Sequence, residues 1–250
     1  IGDYAFYNCV GMTSIVISNS MKTIGKCAFL SCVNLTSVNI PNNVISIGES
    51  AFSNCTNLEE ILLPCDLTRI SGHMFAYCSK LQKIECPKGI EDIGEFAFYQ
   101  CTDLNNITLS DKVTNIHKGA FMESGLTKII LPDNIKTIEE DTFNGCSNLT
   151  IISIPKGVRS IEKSAFEYCT KLTSIVIPDS VVSIGDRAFG TCKNIQEIVI
   201  PNGTKSIGKN AFCYCLNMKY MILPATINSI GSGVCDYCST LSDIYYGGNR

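Results

Sequence analysis

Histidine is almost missing. The 250 residues hold two, His73 and His117, in separate units of an internal repeat, and nothing in that repeat brings a serine or cysteine beside either. A nucleophile needs a base within hydrogen-bond reach, so hydrolytic catalysis has no foothold and the chain reads as non-enzymatic. An excess of cations is missing too. With 20 basic against 23 acidic residues, the net charge is −3, which leaves no surplus to displace counterions from phosphate or to hold an anionic membrane surface. Nucleic acid is therefore excluded as a partner class. Apolar runs such as Ile129-Ile130-Leu131 stop within a few residues, far short of the roughly 20 needed to span a bilayer, so direct membrane insertion is not expected. No glycine-rich phosphate loop occurs. Ser206-Ile207-Gly208-Lys209-Asn210 belongs to the repeat itself, and the acidic clusters Glu59-Glu60 and Glu139-Glu140-Asp141 fall in variable positions that read as solvated charge. No cofactor is expected.

What the chain does have is phenylalanine at a fixed spacing. Phe6, Phe29, Phe52, Phe75, Phe98 and Phe121 are followed, after one shorter step, by Phe143, Phe166, Phe189 and Phe212. A period near 23 residues means one small unit stacked on itself, because such a unit cannot bury its apolar face alone. The unit is shown by Ala165-Phe166, Cys169, Leu172, Ile175, Ile177, Pro178, Val181 and Ile184-Gly185. Its Leu-x-x-Ile-x-Ile part alternates with the period of a strand that buries one face, and stacked copies would form a parallel sheet. Each of the eight prolines follows that strand's last inward residue, where a missing N–H no longer breaks a ladder bond. The isoleucine column from Ile24 to Ile230 is expected to be deep core. Glycine follows it in several units, but Ser71, His117, Glu139 and Glu162 take the same slot, so a left-handed backbone is not required there.

The Leu-x-x-Ile-x-Ile strand, the proline after it, Ile-Gly, Ala-Phe and the cysteine together resemble the BspA-like, or treponemal, class of leucine-rich repeats, over essentially the whole chain. The resemblance implies a right-handed curved solenoid of about ten units, with a parallel sheet on its concave face, short strands or turns on the convex face, and little helix. One leucine-rich-repeat domain, 1–250, is expected. Because the sequence opens inside a unit, it reads as an excised piece whose export signal or anchor would lie outside it. The class implies a cell-surface or secreted protein of adhesin type that binds host matrix or cell-surface proteins.

Ten of the fifteen cysteines share one slot, three residues after the phenylalanine: Cys9, Cys32, Cys55, Cys78, Cys101, Cys146, Cys169, Cys192, Cys215 and Cys238. Coils in a parallel sheet lie roughly 4.8 Å apart, whereas a disulfide wants Cβ atoms about 3.8 Å apart and one partner each. A ladder of buried thiols is the preferred reading over disulfides. Cys235-x-x-Cys238 has the spacing of a zinc or redox pair, but Cys235 only replaces the phenylalanine of the last unit, and a straight column does not converge on a metal. Free thiols in such number favour a second reading, an intracellular interaction scaffold. Five Asn-x-Thr sequons, at Asn34, Asn54, Asn106, Asn148 and Asn202, matter only for an exported eukaryotic chain.

A partner would meet the outward residues of the strands. The slot before the strand's last core residue ends in Val176, Val199, Ile222 and Tyr245, all apolar or aromatic, with Glu197 and Tyr220 in the neighbouring outward column. These six residues are the candidate protein-binding site, since a contiguous apolar stripe on an open sheet marks interaction surfaces. Strand propensity alone is the competing explanation, because valine and isoleucine favour strands whatever they face. Tyr77, Tyr168, Tyr214 and Tyr237, each just before a column cysteine, form a second candidate on the flank.

Overall fold

A computed structural model describes residues 1–247; residues 248–250, the end of the expected single domain 1–250, lie outside the described residues. The chain divides into two compact units, Ile1–Leu126 and Thr127–Arg250. The division falls within the one shortened step of the phenylalanine register. Each unit is a parallel β-solenoid with coils of about 23 residues, and no helix occurs among the described residues. A typical coil runs through a front strand, a proline turn, a two-residue back strand and a turn around the phenylalanine, with serine in place of proline at Ser18 and Ser110.

Alternating burial makes the front strands. In Ser37–Asn39, Glu60–Leu62 and Glu197–Val199 the central residue is buried and its neighbours are exposed, as a one-sided strand requires. In the first unit Ser37–Asn39, Glu60–Leu62 and Lys83–Ile84 pair in parallel, and single bridges Val16↔Asn39 and Glu85↔Thr108 carry the pairing to the flanking coils. The second unit has Lys128–Ile130 beside Ile151–Ser153, and separately Glu197–Val199, Tyr220–Leu223 and Asp243–Tyr246. Residues 174–177 join neither group. The back strands show the reverse. Thr137–Ile138, Ser160–Ile161, Ser183–Ile184, Ser206–Ile207 and Ser229–Ile230 make one five-stranded parallel sheet in the second unit, whereas in the first the pair Thr23–Ile24 and Ser46–Ile47 stands apart from Arg69–Ile70, Asp92–Ile93 and Asn115–Ile116. Nine of the ten column isoleucines are buried. The tenth, Ile230, is 46% exposed, because no described coil packs over it.

The turn around each phenylalanine holds a feature that the sequence does not announce. Every described residue with positive φ apart from Gly247 lies two positions before or after a register phenylalanine, or in the equivalent place around Cys235. Nineteen of these are not glycine, and they include Cys27, Phe96, Tyr168 and Arg187. A left-handed L-residue costs about 1–2 kcal/mol. A third ladder offsets it: Cys27, Phe29 and Ser31 donate their N–H groups to the carbonyls of Glu49, Ala51 and Ser53 at 2.9, 2.8 and 2.9 Å, and the same triplet recurs from coil to coil. Glycine after the column isoleucine has another reason. At Gly48, whose φ is not left-handed, a Cβ would run into the backbone of Gly25 and Lys26, so the slot serves close approach of coils.

Nine of the ten register phenylalanines are fully buried. Within each unit their rings stack at 5.2–6.1 Å between centroids, with planes within 20° of parallel. Offset stacking of this kind adds to the area that each ring buries.

Candidate functional site

The cysteine column explains itself from its neighbours. Cys55 Sγ donates to the carbonyl of Phe29 at 3.2 Å, and Cys32, Cys78, Cys101, Cys169, Cys192, Cys215 and Cys238 make the same bond to the phenylalanine 26 residues earlier at 3.1–3.4 Å. Each such carbonyl except that of Phe212 also accepts the N–H three residues on, as Cys32 N–H donates to Phe29 at 3.1 Å, so its two lone pairs are both used. Cysteine is thus both a small apolar filler and a weak donor. All fifteen cysteines are thiols. Burial pushes the thiols of Cys78, Cys101, Cys169 and Cys192 well above the ordinary range, and that of Cys86 up to about 12. Groups so hard to ionise are poor nucleophiles.

The histidines are equally unpromising for chemistry. His117 Nε2 lies 2.9 Å from Asp92 Oδ2, and Arg69 Nε lies 3.5 Å from the other oxygen of the same carboxylate. His73 stacks on Phe96 at 5.2 Å. No group of three or more His, Cys, Asp or Glu among the described residues is placed to hold a metal ion.

The front face of the second unit gathers most of the stripe expected from sequence. Val199, Ile222 and Tyr245 are register partners, as are Glu197, Tyr220 and Asp243. Tyr220 meets Tyr245 edge to face at 6.3 Å. Val176 is not in that register: residues 174–177 have no ladder partner on either side, and the neighbouring bond from Gln196 N–H to Thr173 O is stretched to 3.3 Å. Between the detached strand and the next coil lies an open groove of about 470 Å³, lined by Val176, Asp179, Glu197, Val199, Asn202 and Ile222 among others. Val176 is 83% and Val199 50% exposed. Ile222, Tyr220 and Tyr245 are half-buried and Glu197 is exposed. Ile151, 63% exposed on the neighbouring pair of strands, extends the apolar surface; the outward column through Ser174 and Glu197 would have found it had it been traced one coil further back.

The first unit presents a different front. Its equivalent outward residues are Val16, Asn39, Leu62, Glu85 and Thr108, so exposed Val16 and Leu62 are separated by polar side chains, and a groove of about 770 Å³ is lined by Lys83, Glu85, Lys88, Ser110 and Lys112 with their neighbours. The flank tyrosines all stand in the left-handed position two residues after a register phenylalanine or, for Tyr237, after Cys235 in the same slot, which turns them outward. Tyr77, Tyr168, Tyr214 and Tyr237 are exposed, and Tyr214 stacks on Tyr237 at 4.5 Å.

Known proteins share this architecture. A leucine-rich repeat protein from Bacteroides ovatus is 30% identical with a TM-score of 0.88, over 94% of this chain and 63% of that one, so the chain spans less than two thirds of that relative. A leucine rich cell surface protein from Faecalibacterium prausnitzii is 28% identical with a TM-score of 0.60, over 100% of this chain and 83% of that one. The pneumococcal vaccine antigen PcpA, 20% identical with a TM-score of 0.60 over 92% of this chain and 61% of that one, shares the fold. A comparison with curated proteins finds no match. The family described as BspA type leucine rich repeat region (6 copies) matches residues 1–124, 70–175 and 159–249, and the chain belongs to that family.

Proposed function

We propose that this chain is a non-enzymatic recognition domain of a cell-surface or secreted adhesin, and that it binds protein through the front face of its second unit. Repeats of this family generally serve protein–protein binding. The observation that carries the reading is the exposed apolar stripe of Val176, Val199 and Ile222 on consecutive coils beside the groove, whereas at the same slots of the first unit Val16 and Leu62 are separated by Asn39 and followed by Glu85 and Thr108. Coherent apolar exposure of this kind is costly to keep in water without a use. Tyr220 and Tyr245 add aromatic anchors of the type that dominates interface energetics, and Glu197 places one charge at the rim. The surface location follows the Faecalibacterium relative, which is a cell surface protein. No helix among the described residues is long and apolar enough to cross a membrane.

Because the three apolar side chains point outward, Val176→Asp with Val199→Asp should leave folding intact and abolish binding. The chain and the double variant are passed over immobilised fibronectin, laminin, collagen and fibrinogen by surface plasmon resonance, with Leu62→Asp in the first unit as control. Binding by the wild type and control but not by the double variant supports the reading. Equal binding by all three, or none by the wild type, overturns it. The fifteen free thiols favour a second reading, an interaction scaffold inside a reducing compartment, which would show as failure on matrix proteins.

A further inference from the structure

The geometry points to a dithiol site at Cys235 and Cys238 that reacts with low-molecular-weight disulfides and closes into an intramolecular disulfide. Cys235 stands where every preceding coil carries phenylalanine, so the last described coil has a thiol in place of a ring. The turn that follows brings the pair together. Cys238 N–H donates to Cys235 C=O at 3.2 Å, with Gly233 before the turn and Tyr237 within it in the left-handed region. Such a turn holds its end Cα atoms within about 7 Å, which overlaps the range of roughly 4.4–6.8 Å across a disulfide. Both thiols are half-buried, whereas the column thiols Cys169, Cys192 and Cys215 are buried.

The sulfurs differ in role. As a thiol, Cys238 donates to the Phe212 carbonyl at 3.1 Å like the other members of the column. As a thiolate it receives hydrogen bonds from the thiols of Cys215 and Cys235, which lower its pKa, while the bond to Cys238 and burial push Cys235 up. Cys238 is therefore the attacking sulfur and Cys235 the resolving one. The Cys238 thiolate attacks one sulfur of R–S–S–R, forms the mixed disulfide Cys238–S–S–R and releases RS⁻. Cys235 then gives up its proton and attacks Cys238 Sγ, which displaces the second RS⁻. Two protein thiols are oxidised to one disulfide and the reagent is reduced to two thiols. Cys235 and Cys238 lie in the phenylalanine turn and not on the front strands that carry Val199, Ile222 and Tyr245, so this reactivity is a different function from the proposed protein binding.

The test treats the intact chain with hydroxyethyl disulfide near neutral pH, quenches with acid, alkylates the remaining thiols and maps tryptic peptides. Cleavage after Lys219 releases residues 220–250, which hold both cysteines and no other. The expected product is that peptide two hydrogens lighter and unalkylated, while Cys55, Cys78 and Cys101 still alkylate after unfolding. Cys235→Phe, which restores the repeat's own residue and should fold at least as well, is expected to leave a lasting mercaptoethanol adduct on Cys238. Cys238→Ser should slow the reaction of Cys235 by about tenfold or more. A mixed disulfide that persists on Cys238 in the wild type, a link joining residues 220–250 to the peptide that carries Cys215, or a pair that reacts no faster than the exposed Cys65 would each overturn the proposal.

Discussion

The two units use one coil and open it on opposite faces. In Ile1–Leu126 the front pairing passes through consecutive coils, while the back sheet is interrupted between Ser46–Ile47 and Arg69–Ile70. In Thr127–Arg250 the back sheet is unbroken over five strands, and the front is interrupted at residues 174–177. The back interruption has a local cause. Elsewhere the residue after the column isoleucine gives its N–H to the isoleucine carbonyl of the coil before, as Gly48 does to Ile24 at 2.8 Å and Gly208 to Ile184 at 2.8 Å. At residue 71 the serine hydroxyl takes that acceptor instead, 2.6 Å from Ile47 O. In both units the phenylalanine stack, the thiol column and the turn ladder run past the interruption. Coil stacking is therefore held by the core and the phenylalanine turn, and either sheet face is free to open and to vary.

If that is right, agents that strike the columns should hurt both units alike. The largest effect is expected from alkali. An unfolded thiol ionises near pH 8.5, whereas burial raises Cys55, Cys78, Cys101, Cys169 and Cys192 far above it. Raised folded values of an acid that stays neutral mean that stability is complete below about pH 8.5 and falls as pH rises, since the unfolded state alone releases protons. The loss is about 1.4 kcal/mol per thiol per pH unit, so these five would cost about 7 kcal/mol one unit above that point, comparable with the stability of a whole domain. Urea unfolding at a series of pH values checks this. A flat profile to pH 10 would mean that the thiols are not buried as described. Loss of hydrogen-exchange protection in one unit only would break the equivalence of the two.

Next in size is the ring column. Phe75→Ala in the first unit and Phe166→Ala in the second remove fully buried rings that stack on both sides, and each should cost about 3–5 kcal/mol in denaturant unfolding. Equal costs support a core that is indifferent to sheet continuity. A distinctly larger cost at Phe75 or at Phe166 would show that the sheet intact in that unit shares the load.

A smaller effect belongs to the second unit alone. Glu167 is 5% exposed, and its carboxylate is held by Arg187, with Nη2 at 2.6 Å. Arg187→Met strands a buried carboxylate and should cost about 2–3 kcal/mol, less than a fully buried pair because the arginine is partly solvated. Replacing both partners by methionine should recover most of it, as calorimetry of the two variants would show.

These columns were legible in the sequence because every coil gives a column residue the same neighbours, so Phe, Cys and Ile recur in almost every coil, Cys235 and Ser124 being the departures. The register of Val199, Ile222 and Tyr245 followed from the same arithmetic. The left-handed residues beside each phenylalanine did not, since Tyr, Ser, Arg and Phe96 occupy them and only Gly119, Gly145 and Gly233 carry the usual signature. Nor did the opening at 174–177. Ser174-Ile175-Val176-Ile177 is as strand-like as Glu197-Ile198-Val199-Ile200, so local propensity does not mark where the pairing is lost.

The finest test concerns the back interruption itself. Ser71→Gly deletes the hydroxyl bond to Ile47 O and leaves that acceptor to the residue-71 N–H, the arrangement seen where Gly94 donates to Ile70 O at 2.8 Å. One hydrogen bond replaces another, and glycine loses a little more chain entropy on folding, so net stability should move by no more than about 0.5 kcal/mol. The amide itself should change far more: in hydrogen exchange, residue 71 should gain protection comparable to that of Gly94, while Ile175, Val176 and Ile177 in the second unit stay fast. Ser71→Ala separates the two parts of the argument. It removes the hydroxyl but keeps a Cβ in a slot where, at Gly48 and Gly94, a Cβ would press on the backbone of the coil before. If alanine also gains protection at residue 71, the hydroxyl alone held the ladder open; if only glycine does, the space between coils decides which sheets can close.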